Sequence, residues 1–327
     1  MALARLKVGA YAGLVIVFVP LAHLAAGPLA PAQVAPLGLA AILYARRVRT
    51  LAGERRAVSS SRQAAFYGCL TLIFVVVVSP LGHISDELLL AHMIEHLLMA
   101  DVAALLLVLG LTGPLLAPVL RIGVFERLRH LAHPAVALPL WGADLYAWHL
   151  PALYQAALHH PSVHALEHAM FIMCGVNMWM CLFGPLPTPS WFGNLGRLVY
   201  IVSVRLVGAV LGNVFLWSGS VLYPTYGTGD AYWRISPLAD QSVAGAVMMI
   251  EGSVLTLCLF AWLFLRAAQQ SEERQQLLDF ARERGLELSD RRAARAVAAG
   301  RSAELRRRLE ARDPSLPREA PASVGPR

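Results

Sequence analysis

A series of long apolar stretches constrains this chain more than any other feature. A helix that crosses a bilayer needs about 20 apolar residues, and the sequence contains such stretches at 8–26, 65–81, 88–109, 135–158, 163–183, 198–218 and 242–265. A shorter one at 34–44 follows Pro31. Only 15% of the 327 residues are charged, against roughly 25% in a soluble domain. The sequence therefore predicts an all-α polytopic membrane bundle of seven to eight transmembrane helices.

The positions of the basic residues predict how the bundle is oriented. Arginines fill the loop at 46–62 and recur at 121–129, whereas the intervening loops contain almost no Lys or Arg. Loops rich in Lys and Arg stay in the cytoplasm, so both termini are expected there. The net charge of +7 is thus a topology signal, and the expected partner is the lipid bilayer rather than nucleic acid. The first stretch is either a retained helix or a cleaved signal peptide.

The chain is expected to contain a membrane domain at 1–265 and a charged cytoplasmic tail at 266–327. The tail is rich in Ala, Leu, Glu and Arg, which favour helices. Gly285 and Ser289 predict a break between two short helices, and a Pro-rich disordered end is expected from Pro314. Two interpretations of the tail remain open: a solvated appendage, or a segment that docks to a partner or to anionic headgroups.

Two histidine motifs lie inside the apolar stretches. The first is HMIEH at 92–96 and the second is HALEH at 164–168. Residues three, four and seven apart share a helix face, so each motif presents two imidazoles and a carboxylate on one side. Ionisable residues at membrane depth usually face a bundle interior or a wet cavity, and facing helices can build a metal centre there. The four imidazoles are those of His92, His96, His164 and His168.

Copper is the metal that the sequence favours. Every Met except Met1 lies in the fourth, sixth or eighth apolar stretch, and imidazole combined with thioether suits copper. Two alternatives remain open, since Met also fills irregular cores and the histidines could form an interhelical hydrogen-bond network. Further ligands or supporting groups are expected among Glu95, Met99, Glu167, His83, Asp240 and Gln241.

Other polar residues within the spans are expected to be structural. Arg205 is predicted to pair with Asp101 or Glu251 in the bundle interior. Asp240 and Gln241 open the last span and are expected either to cap its helix or to supply an oxygen ligand. The four cysteines lie inside predicted spans without a C-x-x-C pair, so they predict no disulfide framework.

Four segments in order carry a resemblance to a known family: SPLGHISDELLLAHMIEHLLM, WHLPALYQAALHHPSVHALEHAMF, NVFLWSGSVLYPTY and PLADQSVAGAVMMIEG. Across about residues 40 to 265 the chain resembles the multi-spanning CtaG-type cytochrome c oxidase assembly factors of the caa type. The resemblance implies a non-enzymatic protein of the bacterial inner membrane that handles copper and meets oxidase subunits or other assembly factors. It extends to the two motifs and to Asp240 and Gln241, although Glu95 stands where the family often has Gln.

Three rival functions follow from the same residues. Histidines from two helices could ligate haem b in an electron carrier. H-x-x-E-H is also a zinc peptidase motif, which would make the protein an intramembrane enzyme. Polar residues in spans also line ion paths, as in a copper transporter. The sequence favours a copper-binding oxidase assembly factor over all three.

Overall fold

The computed structural model describes residues 30–123, 129–189 and 191–311. Within these ranges every regular element is helical, which confirms the predicted all-helical class. The first apolar stretch with His23, and the Pro-rich end, lie outside the described residues. Five described helices are long and apolar enough to cross a membrane, namely Ser60–Val78, Leu89–Gly110, Pro161–Phe183, Asn194–Trp217 and Pro237–Glu283. The predicted count of seven to eight is not reached among them.

The described α-helices are numbered here in chain order. They are α1 (Ala30–Gly53), α2 (Ser60–Val78), α3 (Leu81–Ile84), α4 (Leu89–Leu97), α5 (Ala104–Gly110), α6 (Gly113–Leu120), α7 (Pro134–Trp148), α8 (Pro151–His159), α9 (Pro161–Phe183), α10 (Asn194–Trp217), α11 (Gly227–Trp233), α12 (Pro237–Glu283), α13 (Asp290–Ala298) and α14 (Ser302–Glu310). A π-helix, Leu98–Ala103, joins α4 to α5. Short 3₁₀ helices occupy Arg129–Ala132 and Pro224–Tyr226.

One predicted span is wrong. Residues 135–158 form two helices, α7 and α8, instead of one. Pro151 has no N–H to continue the helical ladder and disfavours helical geometry in the residue before it, and Leu150 is extended with φ −68° and ψ 134°. The chain therefore turns at His149 and Leu150. Neither half is long enough to cross a bilayer by itself.

Small residues bring the helices of the two histidine motifs close together. A Cβ on Gly175 of α9 would lie 2.1 Å from the carbonyl oxygen of Ala100 in the π-helix. No side chain larger than hydrogen fits such a contact, and membrane helices commonly approach one another at small residues. The π-helix and α9 thus meet backbone to backbone, about one turn beyond His96 and about two turns beyond His168.

The two ends of the Leu89–Gly110 span are surrounded by different side chains. At its final turn, the guanidinium of Arg62 donates to the carbonyl oxygens of Leu109 (3.1 Å) and Leu111 (2.8 Å). We call this the arginine end. At its first turn the span meets the segment that follows α10, where Trp233 Nε1 donates to Glu87 Oε2 at 2.6 Å. We call this the histidine end, because both motifs begin near it.

The described residues from Leu257 onward belong to a second compact unit. Its own core contains Leu277, Phe280, Ala281, Ala293, Val297, Leu305 and Leu309. The predicted break falls at Gly285, which has a positive φ of 64°, and a second break follows at Gly300 with the same φ. The prediction of two short helices was wrong, because the first is the end of α12 and the second is divided into α13 and α14. Residues 266–283 contain no Gly or Pro, so α12 continues through them to Glu283.

Candidate metal centre

The two motifs face each other across the interface between α4 and α9. His96 Nε2 lies 3.8 Å from Glu167 Oε2, and His168 Nε2 lies 3.6 Å from Glu95 Oε1. Each motif therefore places its carboxylate beside the second imidazole of the other motif. The arrangement is reciprocal, because the same pattern of residues meets itself from two helices.

The four imidazoles lie in one group. The rings of His92 and His164 are stacked, with centroids 5.2 Å apart and planes 11° apart. Within each motif the two ring centroids are 4.2 Å apart, and the His96 and His168 rings are separated by 5.6 Å. The structure thus brings together all four histidines that the sequence singled out.

Two sets of donor atoms are close enough to surround a cation. One atom each from His92, His96, His164 and Glu167 lie within 4.8 Å of one another, and so do atoms from Glu95, His164 and His168. Ligands about 2.1 Å from one ion are at most about 4.2 Å apart, so small side-chain movements would complete either set. His164 belongs to both. We call these six side chains the histidine–glutamate cluster.

Five of the six side chains are buried and His164 is partly buried, and most of their polar atoms have no hydrogen-bond partner among the described residues. His92 and Glu167 are fully buried. Among the described residues, no group hydrogen-bonds either ring nitrogen of His96 or His168, or either carboxylate oxygen of Glu167. An unsatisfied buried polar group costs roughly 1–3 kcal/mol, and such groups are rare in proteins. A cation that used these lone pairs would remove that cost, so the donor set fits a metal ion.

Asp240 and Gln241 position the cluster rather than line it. Both carboxylate oxygens of Asp240 accept backbone N–H groups at the start of α4, from Leu89 at 2.7 Å and Leu90 at 3.0 Å. The side chain of Gln241 accepts from Leu222 N at 2.8 Å and donates to Ser220 O at 3.1 Å. The expected capping residue thus caps α4, a helix distant in sequence, through both of its oxygens, and its role as an oxygen ligand stays a prediction.

His83 is in neither of the two donor sets, and Met99 follows the first motif along the chain. Met99 is buried within the π-helix. Because the helix changes type after the first motif, the spacing that would place Met99 on the face of His92 and His96 no longer applies there. His83 lies in the short helix α3. Their roles as further ligands stay predictions.

His149 is a central residue that the sequence reasoning left out of the site. Its ring is 6.4 Å from that of His96, and its Nε2 is 3.5 Å from the sulfur of Met93. The hydroxyl of Tyr223 donates to its backbone carbonyl at 2.6 Å. The signal that could have found it was Pro151, because a break there stops His149 from continuing the helix and lets its ring turn towards the first motif.

Two tyrosines border the cluster towards the histidine end. The hydroxyls of Tyr154 and Tyr226 are 2.7 Å apart, and the Tyr154 ring lies 5.0 Å from that of His92. The Tyr154 ring also stacks on Tyr223 at 4.0 Å. This aromatic layer helps to keep water from the imidazoles.

Arg205 forms a separate ionic group with two acids. Its guanidinium lies 3.3 Å from Asp101 Oδ1 and 3.6 Å from Glu251 Oε2, and 5.6 Å from the ring centre of Trp179. The sequence suggested one or the other acid, and the structure places both against the same cation. We call these three charged side chains the arginine triad.

Comparison with known proteins identifies the family. A family model described as cytochrome c oxidase caa3 assembly factor (Caa3_CtaG) matches residues 42–270. No curated protein and no solved structure matches the chain. Because the model covers most of the chain, this protein belongs to the family of cytochrome c oxidase caa3 assembly factors. Membership supports a role in oxidase assembly and interaction with oxidase components, and confirms the resemblance seen in the sequence.

Proposed function

We propose that this protein carries copper in the histidine–glutamate cluster and helps to insert it into a cytochrome c oxidase subunit. The observation that supports this most is the reciprocal meeting of the two motifs, with buried donor atoms that have no partner among the described residues. Imidazole and carboxylate both ligate transition metals, and imidazole suits copper in either oxidation state. The ion is cargo, so its release requires ligand exchange with a receiving site.

The chain's own residues would divide this work between them. His92, His96, His164 and His168 would supply nitrogen ligands, and Glu95 and Glu167 would add oxygen ligands or orient the rings. Asp240 holds the start of α4, which keeps the first motif in register with the second. The Tyr154–Tyr226 pair would shield the ion from water until the receiving protein docks.

The proposed location is the bacterial inner membrane, with the histidine end facing outward and both termini in the cytoplasm. This orientation rests on the arginine-rich segments at the opposite end, since such segments stay inside. Periplasmic reporter fusions near His159 should be active, and those at 46–62 should be inactive. The reverse pattern would place the cluster on the cytoplasmic side and contradict delivery to an outward-facing oxidase site.

Metal analysis of three variants of the cluster histidines tests the proposal. We expect wild-type protein, purified in detergent and loaded with copper, to retain copper after desalting. The double variants His92→Leu/His96→Leu and His164→Leu/His168→Leu should each lose most of it, because one helix supplies only half of the donors. The quadruple variant should lose little more, since residues that act as a unit are not additive.

His159 and His160 provide a matched control, because they are adjacent to α9 but exposed. The variant His159→Leu/His160→Leu should bind copper as wild type does. Full copper retention in the quadruple variant would show that the cluster is structural. A Soret band in the purified protein would instead support a haem-binding function.

A further inference from the structure

We propose that Met93 and His149 form a second metal position, selective for a soft monovalent ion such as Cu(I). The inference rests on the proposed function in taking copper as the natural ion. It concerns residues outside the histidine–glutamate cluster and depends on different chemistry. Its basis is the 3.5 Å approach of His149 Nε2 to the thioether sulfur of Met93 in a buried setting.

The hydrogen bonding of His149 determines which ring nitrogen carries a proton. Nδ1 lies 2.6 Å from the carbonyl oxygen of Leu145, and a carbonyl oxygen can only accept. Nδ1 must therefore be the protonated nitrogen, because two lone pairs would repel strongly at that distance. In the neutral ring the other nitrogen, Nε2, then carries a lone pair. The thioether of Met93 has no proton to offer either.

Two lone-pair donors thus face each other with no hydrogen between them. Such a pair gains nothing from its approach unless a cation lies between the donors. Typical metal–ligand bonds are about 2.0–2.1 Å to imidazole nitrogen and about 2.3 Å to sulfur, as measured for zinc. The sum of these lengths exceeds 3.5 Å, so one ion can reach both atoms in a bent arrangement without moving them apart.

The surroundings favour a soft ion of low charge. The His149 ring is flanked by Phe215, Phe171 and Tyr154, at centroid distances of 5.8, 6.2 and 6.2 Å. Aromatic walls solvate a divalent ion poorly. Thioether sulfur prefers Cu(I), whereas the carboxylates of the neighbouring cluster suit harder ions. The two positions therefore differ in the charge of the ion that each stabilises.

The position is also held rigidly. Nδ1 is anchored to Leu145, and the backbone carbonyl of His149 accepts the Tyr223 hydroxyl at 2.6 Å. Met93 belongs to the same helix as His92 and His96 and is 1% exposed. Because His96 lies 6.4 Å from His149, ring centre to ring centre, an ion could pass from one position to the other by exchanging ligands.

Silver(I) is the probe, because it is soft, monovalent and not redox-active under these conditions. Full-length protein in detergent, carrying Cys258→Ser so that the exposed thiol cannot supply sulfur, is loaded with Ag(I) in the presence of competing free imidazole and examined by X-ray absorption at the silver edge. We expect a sulfur scatterer in the first shell. Met93→Leu, a nearly volume-conserving change, should remove the sulfur signal and weaken Ag(I) binding at least tenfold.

Two further variants separate this inference from the proposed function. Met178→Leu changes an equally buried methionine of α9 and should keep both the sulfur signal and the affinity. His164→Leu/His168→Leu disables the cluster on the other helix and should also keep the sulfur signal while copper retention falls.

A sulfur-free first shell in wild-type protein, or unchanged binding in Met93→Leu, overturns the Met93–His149 position even if the cluster variants lose copper. If instead copper retention is unchanged in the cluster variants but the sulfur signal depends on Met93, the histidine–glutamate cluster is not the copper site. The Met93–His149 position is then still supported.

Discussion

The histidine–glutamate cluster and the arginine triad are both groups of ionisable side chains inside the bundle, but they solve the problem of buried charge differently. In the triad, Arg205 provides a permanent cation for Asp101 and Glu251. In the cluster, the carboxylates of Glu167 and Glu95 lie 3.8 and 3.6 Å from imidazole nitrogens, and an imidazole is a cation only when it is protonated. A group that carries its own cation is structural, whereas a group of donors without one is suited to an external cation.

Removing the cation of the triad should have the largest effect on stability. Arg205→Leu would leave Asp101 and Glu251 buried without their partner, and breaking a buried ion pair in this way costs about 3–5 kcal/mol. We expect much lower accumulation in the membrane and a lower melting temperature in detergent. The triple variant Arg205→Leu/Asp101→Asn/Glu251→Gln should recover much of this loss, because no uncompensated charge remains.

If Arg205→Leu accumulates and melts like wild type, the triad does not stabilise the bundle. The contrast between the arginine triad, which contains its own cation, and the histidine–glutamate cluster, which does not, would then have no consequence for stability.

Removing a carboxylate from each group should separate stability from metal binding. Glu167→Gln replaces a buried carboxyl group whose oxygens have no hydrogen-bond partner among the described residues by a neutral amide of the same shape, so metal-free protein should melt no lower than wild type. Copper at about 100 times its dissociation constant should stabilise wild type by about 2.7 kcal/mol, and this gain should shrink in Glu167→Gln. The measurement is thermal unfolding with and without copper.

Glu251→Gln is the matched control, because Glu251 is a glutamate of the bundle interior that faces Arg205. It should keep the copper-dependent gain while changing the melting temperature of metal-free protein. Equal copper responses in the two variants would contradict the assignment of Glu167 to the metal.

Substitution of Asp240 is expected to have the smallest effect on stability and copper binding. Loss of a helix cap costs about 0.5–2 kcal/mol, so Asp240→Ala should lower the melting temperature modestly. Copper affinity should also fall, because the first turn of α4 carries the motif towards its partner. Asp240→Asn can still accept from one backbone N–H and should lose less of both. A direct ligand role would instead make the asparagine variant lose copper without any loss of stability.

Several features of the fold could be predicted from local sequence, and others could not. The apolar stretches at 65–81, 88–109, 163–183 and 198–218 correspond to helices, because length and hydropathy are properties of each segment alone. The break at Pro151 was also readable, since proline restricts the residue before it, but the continuous apolar pattern across 135–158 masked it. The π-helix at Leu98–Ala103 has no comparable local signal.

For the candidate site, helical periodicity was sufficient to place His92, Glu95 and His96 on one face and the second motif on another. It could not say that the motifs meet reciprocally, since that depends on how α4 packs against α9. Nor could it connect Asp240 to Leu89 and Leu90, which are separated from it by about 150 residues.

By itself, the sequence determined that this is a helical membrane protein of the oxidase assembly family, and which side chains on each helix are candidates for metal ligation. Only the tertiary structure decided that Glu95 faces His168, that Arg205 contacts two acids, and that His149 approaches Met93. The physical reason is that periodicity acts along one helix, where neighbours are three or four residues apart. Contacts between helices depend instead on shape, such as the close fit of Gly175 against Ala100.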